Sequence, residues 1–153
     1  MADRPVDATL LPREGALELD LLLVLGDLEH ETTLRTAVLL SIFCDARATP
    51  DELRRHGGDD ARGYWGDVLA LVEDDEWGSK LWLLLRESQT AETLNRAKRY
   101  LEDALAWIIE DGIARTVSVI TAWYGQGRMK ITIQSTKPDG VPSRFDFVWQ
   151  QAA

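Results

Sequence analysis

A chain of 153 residues, 45% apolar and 28% charged, is long enough to bury the core of one ordinary domain and too apolar to stay unfolded. Its 17 Lys and Arg against 26 Asp and Glu leave a formal net charge of -9, which repels phosphate backbones and anionic lipid surfaces. Arg54, Arg55 and His56 come nearest to a basic stripe, and the neighbouring Asp51, Glu52, Asp59 and Asp60 cancel it, so neither nucleic acid nor a membrane is expected as a partner.

In chain order, residues 1–16 hold Pro5, Pro12 and Gly15 with little periodicity and read as an N-terminal arm, with 17–153 as a single domain. Leu17, Leu19, Leu21, Leu23 and Leu25 occupy alternate positions, as on a strand with one buried face, until Gly26 and Asp27 break the run. Thr32 or Thr33 can then cap a helix in which Leu34, Ala37, Val38, Ser41 and Ile42 recur at spacings of three and four; it should end before Pro50. Thr49 to Asp67 is rich in Asp, Gly and Arg and predicts the longest irregular region, of the kind that is functional or disordered. After the acidic run Glu73 to Glu76 and the break Trp77-Gly78-Ser79, the apolar stretch Lys80 to Arg86 predicts one or two helical turns packed in the core.

The strongest signal is a helix from Ala91 to Asp111, with Thr90 as N-cap, Glu92 in the first turn where the dipole favours an anion, and Gly112 as the stop. Its stripe is Leu94, Ala97, Leu101, Ala104, Leu105 and Ile108. Three alternating segments follow: Thr116 to Thr121, Met129 to Gln134 and Arg144 to Trp149, separated by the turns Gly125 to Gly127 and Lys137-Pro138-Asp139-Gly140. The expected fold is α+β: a long helix packed on a three-stranded antiparallel meander, with an N-terminal strand and shorter helices.

Catalytic signatures are sparse. His30 and His56 stand in polar surroundings without metal-ligand spacing, and no nucleophile elbow or Gly-rich phosphate loop occurs; Gly125-Gln126-Gly127 reads as a hairpin turn. Cys44 can form no internal disulfide, which with the absence of a legible secretory leader points to a reducing compartment, and at a helix end it reads as a small hydrophobe. No catalytic residue, metal or cofactor is therefore expected. Asp59, Asp60 and Asp67, or Glu73 to Glu76, keep one other reading open, a small acidic metal-dependent enzyme, although the calcium-loop pattern is missing. The cluster Arg62-Gly63-Tyr64-Trp65-Gly66-Asp67 suits a fixed turn docked on a neighbour or pinned to its own core, and six tryptophans exceed what a minimal core needs.

Leu34 to Ala48, Arg62 to Asp67, Trp77-Gly78-Ser79-Lys80-Leu81-Trp82 and Ala106 to Gly112 together resemble the Mu-like phage tail proteins of the baseplate wedge, from roughly Leu17 to Trp149. The family usually has Trp where Tyr64 stands. It is similar in turn to the small wedge subunit of T-even phages and of contractile injection machines, where an aromatic-Gly-Ser-x-Leu segment leads to a helix ending in Glu-Pro-Arg. Trp77 to Leu81 and Glu110 fit that pattern, whereas Asp111 and Gly112 replace Pro and Arg.

The resemblance implies a non-enzymatic subunit of the virion tail baseplate, assembled in the host cytoplasm. Its partners would be larger wedge proteins, the tail sheath protein, and the central hub or spike as a further candidate. It implies sheath initiation by strand addition at an edge near Met129 to Ile133 or Phe145 to Trp149. The partner-binding candidates are Arg62, Tyr64, Trp65, Asp67, Trp77, Trp82, Glu110, Ile131, Phe147 and Trp149. A host regulatory adaptor of the same fold is a third reading.

Overall fold

A computed structural model describes the backbone of residues 7–8, 10–12, 19–21, 23–24, 27–28, 30–31, 34–69 and 76–151, and side chains within 34–67 and 76–151. The chain forms two compact units, Met1–Leu40 and Ser41–Ala153, with the boundary inside a helix, α1 (Arg35–Phe43).

In the first unit three short antiparallel pairings are described. They join β1 (Asp7–Ala8) to β6 (His30–Glu31), β2 (Leu10–Pro12) to β3 (Leu19–Leu21), and β4 (Leu23–Val24) to β5 (Asp27–Leu28). Of the strand expected over Leu17 to Leu25, the pieces β3 and β4 are described; Leu17, Leu22 and Leu25 lie outside the described residues, as do the cap candidates Thr32 and Thr33.

The second unit begins with the end of α1 and then departs from expectation. Thr49 to Asp67 is not all irregular: Pro50–His56 forms α2. Thr49 is its N-cap, in a reciprocal box in which the Thr49 hydroxyl accepts from Glu52 N–H at 3.3 Å and the Glu52 carboxylate accepts from Thr49 N–H at 2.8 Å. Pro50 opens the helix because an N-terminal position needs no amide donor, and Gly57 closes it at φ 77°. No α2 residue is buried, so no apolar stripe announces it. A 3-10 turn, Trp65–Leu69, follows, and a second, Leu81–Leu84, has all four residues buried, as the apolar stretch requires.

The long helix is real but broken. α3 spans Ala91–Ala104, with the Thr90 hydroxyl accepting from Thr93 N–H, and a one-turn α4 spans Trp107–Glu110. At the break the ladder tightens: Ala106 N–H donates to Asp103 and Ile108 N–H to Leu105, three residues back rather than four. Gly112 then ends α4 at φ 69°, its N–H bonded to Ile109 and that of Ile113 to Ile108, a Schellman arrangement.

The sheet has the order β7 (Thr116–Trp123), β8 (Arg128–Thr136), β9 (Pro142–Gln150), all antiparallel. Its register places the predicted apolar faces opposite one another: Thr121, Ile131 and Phe147 lie in one row, Val119, Ile133 and Phe145 in the next, Trp123, Met129 and Trp149 in a third. α3 packs on β7, and Ala97, Leu101, Leu105, Ile108, Val119, Met129, Ile131 and Ile133 are buried. Each large side chain so buried contributes about 1.5–3 kcal/mol, which is why the helix and sheet are held together chiefly by this layer. Among the described residues no helix is long and apolar enough to cross a membrane.

Candidate functional site

Trp77-Gly78-Ser79 fastens the loop after the acidic run onto the C-terminal end of α1. Ser79 N–H donates to the Cys44 carbonyl and Ala46 N–H to the Ser79 carbonyl, both at 2.9 Å, forming a parallel bridge. The Ser79 hydroxyl donates to the Ile42 carbonyl at 2.6 Å, satisfying an acceptor that the end of a helix leaves open. Gly78 makes this approach possible: at φ 111°, a Cβ there would lie 2.6 Å from the Cys44 carbonyl oxygen. Trp82 follows into the core, its indole N–H donating to the Ala46 carbonyl at 2.9 Å. His56, despite its polar sequence neighbours, is half-buried with its ring edge-on to Trp82 at 5.3 Å.

The Arg62–Asp67 cluster divides between the two roles left open for it. Its ends serve the fold: Arg62 pairs with Asp45 at 2.6 Å while its guanidinium lies 4.5 Å over the Trp82 ring, and Asp67 accepts from Trp77 N–H at 3.0 Å. Its middle does not. Tyr64 is half-buried and Trp65 is 74% exposed, the two rings 5.4 Å apart.

Beside the clamp lies a cleft of about 630 Å³. Its aromatic wall is Trp77 stacked on Trp107, centroids 5.8 Å apart and planes at 30°. Trp107 is fixed by its indole N–H, which donates to the Ser41 hydroxyl at 3.1 Å. Glu76, Asp103, Glu110 and Asp111 line the cleft with exposed side chains. Among the described residues its one lining Lys or Arg, Lys80, pairs with Glu52 at 2.9 Å. Burial alone would raise the Glu52 carboxyl, but the Thr49 amide and Lys80 outweigh it and hold the group below its ordinary range.

Trp77 and Glu110 are thus brought together as candidates, joined by Trp107, Asp103 and Tyr100, which sequence reasoning did not single out, and by Asp111 and Glu76, which it named in other roles. A signal existed: Tyr100, Asp103, Ala104, Trp107 and Asp111 repeat at helical spacing, a second stripe beside the leucine one.

Three sequence candidates are corrected. Ile131 is completely buried in β8, which as the middle strand of a meander has both edges paired, so Met129 to Ile133 is not an edge. Trp82 and Trp149 are likewise core residues, 3% and 7% exposed. Phe147 is half-buried, on edge strand β9, and meets Phe43 edge-on at 6.0 Å. The bonds flanking β9 fix its ladder: Lys137 N–H donates to the Val141 carbonyl, and Gln151 N–H to the Gly127 carbonyl. By the alternation of an antiparallel pair, the amides of Arg144, Asp146, Val148 and Gln150 then point away from the sheet, in phase with Pro142, which has no amide to offer. Among these, the Asp146 carboxyl is held down to about 2 by its bonds from Arg144 and then Thr132.

The acidic-loop candidates do not converge. Asp60 accepts from Arg62 N–H, Asp67 is bound to Trp77, Asp59 is exposed, and Glu73 to Asp75 lie outside the described residues. Among the described residues no group of three or more His, Cys, Asp or Glu is placed to hold a metal ion. Burial, and then the charges of Asp45 and Asp67, raise the Cys44 thiol, which disfavours the thiolate a nucleophile needs.

The sequence pattern of the family described as phage protein GP46 matches residues 34–142, a span that takes in the clamp, the cleft and two of the three strands of the sheet. The chain belongs to that family. It is similar to the baseplate protein gp46 of Escherichia phage Mu, 38% identical over 121 residues that cover 79% of this chain and 81% of the relative. It is also similar to the Mu-like prophage FluMu protein gp46 of Haemophilus influenzae, 33% identical over 128 residues covering 84% and 86%. For a GP46 family member, the clamp and its Gly78 account physically for the Trp-Gly-Ser-Lys-Leu-Trp segment.

Proposed function

We propose that the chain is a structural, non-enzymatic subunit of the baseplate of a Mu-like contractile tail. The likeness to the phage Mu baseplate protein along 79% of the chain carries this reading. In it the chain binds larger wedge proteins, with the hub or spike as a further neighbour, and helps to begin the sheath by accepting a strand from the sheath protein along β9.

What supports β9 as the receiving edge is its place at the end of the sheet and the outward phase of its amides. An added strand satisfies unpaired amide and carbonyl groups, while the side chains along the edge select the partner. Trp65, exposed on its turn, is a further docking residue, and Tyr64 beside it limits its freedom.

The test is Val148→Pro, which removes one outward amide without touching the β8 ladder. Co-expressed with candidate wedge and sheath proteins and weighed by native mass spectrometry, the variant should lose sheath-containing complexes. Its circular dichroism and urea midpoint should stay close to those of the parent chain. Undiminished sheath-containing complexes would remove β9 as the receiving edge.

A further inference from the structure

We propose that the cleft walled by Trp77 and Trp107 receives an arginine-bearing segment of a partner polypeptide. This deepens the assembly reading above and uses a surface separate from β9, so one subunit has two attachment points of different chemistry.

The charge pattern selects a basic occupant. Among the described residues four exposed carboxylates, Glu76, Asp103, Glu110 and Asp111, line the cleft, and its one Lys, Lys80, is already committed to Glu52. The wall selects arginine over lysine. A guanidinium is planar, stacks on indole faces and binds carboxylates through two parallel bonds, whereas an ammonium is a compact, strongly hydrated charge. The molecule already uses this combination within itself, where Arg62 lies 4.5 Å over Trp82 and pairs with Asp45.

Size and spread select a polypeptide over a free ion. The volume of about 630 Å³ lies in the range of sites that bury a whole ligand. The carboxylates come from separate places, Glu76 before the clamp, Asp103 in α3 and Glu110 and Asp111 at the end of α4, and among the described residues no such group is gathered for a metal. Trp107 is braced by Ser41, so the wall is set before the occupant arrives.

The test uses the full chain labelled with nitrogen-15 and three pentapeptide amides, Gly-Arg-Gly-Arg-Gly and its Lys and Glu counterparts. The indole N–H resonances of the six tryptophans report where each peptide lands. The arginine peptide should shift Trp77 and Trp107 saturably and leave Trp65 and Trp123 in place. The lysine peptide should bind several-fold more weakly and the glutamate peptide not at all. Asp103→Asn with Glu110→Gln should weaken the arginine peptide about tenfold, the loss of one charge-assisted bond.

Shifts spread over all six indoles, equal binding of the lysine peptide, or unchanged affinity in the double variant would overturn the proposal. The same double variant, carried into the co-expression experiment, separates the two readings. Loss of a wedge protein with sheath strand capture retained supports the cleft. Intact wedge binding in a variant that no longer takes the peptide overturns the cleft while leaving the baseplate role standing.

Discussion

Arg62–Asp67 and Trp77–Trp82 share ingredients, two aromatic residues each with glycine and charge in the same six residues, yet the fold spends them differently. In the second segment Ser79 and the Trp82 indole each bond to a carbonyl at or just past the end of α1. Trp82 is consequently 3% exposed. In the first segment the side chains of the flanking Arg62 and Asp67 bond outside the segment, to Asp45 and Trp77, and Trp65 between them is 74% exposed. Composition therefore identifies a fixed aromatic turn, and the availability of open backbone acceptors decides whether its tryptophan faces inward. An open helix end supplied such acceptors to one segment, and Trp65 is left as a surface the fold does not use.

The largest expected effect sharpens that contrast. Trp82→Ala should cost about 4 kcal/mol, the transfer and cavity cost of a buried tryptophan, and should also free Arg62. Trp65→Ala should change stability by less than about 0.5 kcal/mol while weakening capture of a partner. Urea denaturation of both variants measures this, and comparable losses would mean that Trp65 is a core residue.

The glycines give the next effect. Gly78→Ala puts a methyl group against backbone atoms in a left-handed conformation and should cost about 3 kcal/mol. At Gly66 the near neighbour of a new Cβ is the Tyr64 ring, a side chain that can swing away, so Gly66→Ala should cost about 1 kcal/mol or less. Equal costs at the two positions would undo the argument that the clamp needs backbone contact at Gly78.

Much of the helix and sheet was legible because periodicity and turn chemistry are local. Met129, Ile131 and Ile133 announce one face of β8, and Lys137-Pro138-Asp139-Gly140 announces the turn, which the Gly140 N–H to Lys137 carbonyl bond closes. Strand order is legible too, because short turns join the strands in sequence: three strands in a meander leave the middle one no edge, which rules out Ile131. The break after Ala104 was not, since Leu105 and Ala106 are good helix formers and the leucine stripe runs on through Ile108. What the break accompanies is tertiary, Trp107 turned onto Trp77. One side of the cleft is legible, in the stripe Tyr100, Asp103, Ala104, Trp107 and Asp111, but its closure by Trp77 is tertiary for the same reason. α2 was missed although Thr49-Pro50-Asp51-Glu52 carries a capping box, because a helix with no buried side chain has no stripe to find.

The smallest effect lies beside the second segment, in the pair between its Lys80 and Glu52 of α2. Glu52→Gln keeps an oxygen for the Thr49 amide and removes the charge facing Lys80, so it should cost about 0.5–1 kcal/mol near neutral pH. Its pH dependence distinguishes charge from shape. The folded carboxyl titrates below its ordinary value of 4.5, so the folded state binds fewer protons than the unfolded one as the pH falls. The contribution is then complete above the unfolded value and drains away as acid takes the pH through the lower, folded one. Urea midpoints of the parent and Glu52→Gln chains should therefore differ at neutral pH and converge as acid protonates the folded carboxyl. A gap that persists unchanged in acid would assign the effect to packing in the cap rather than to the charge pair between α2 and the second segment.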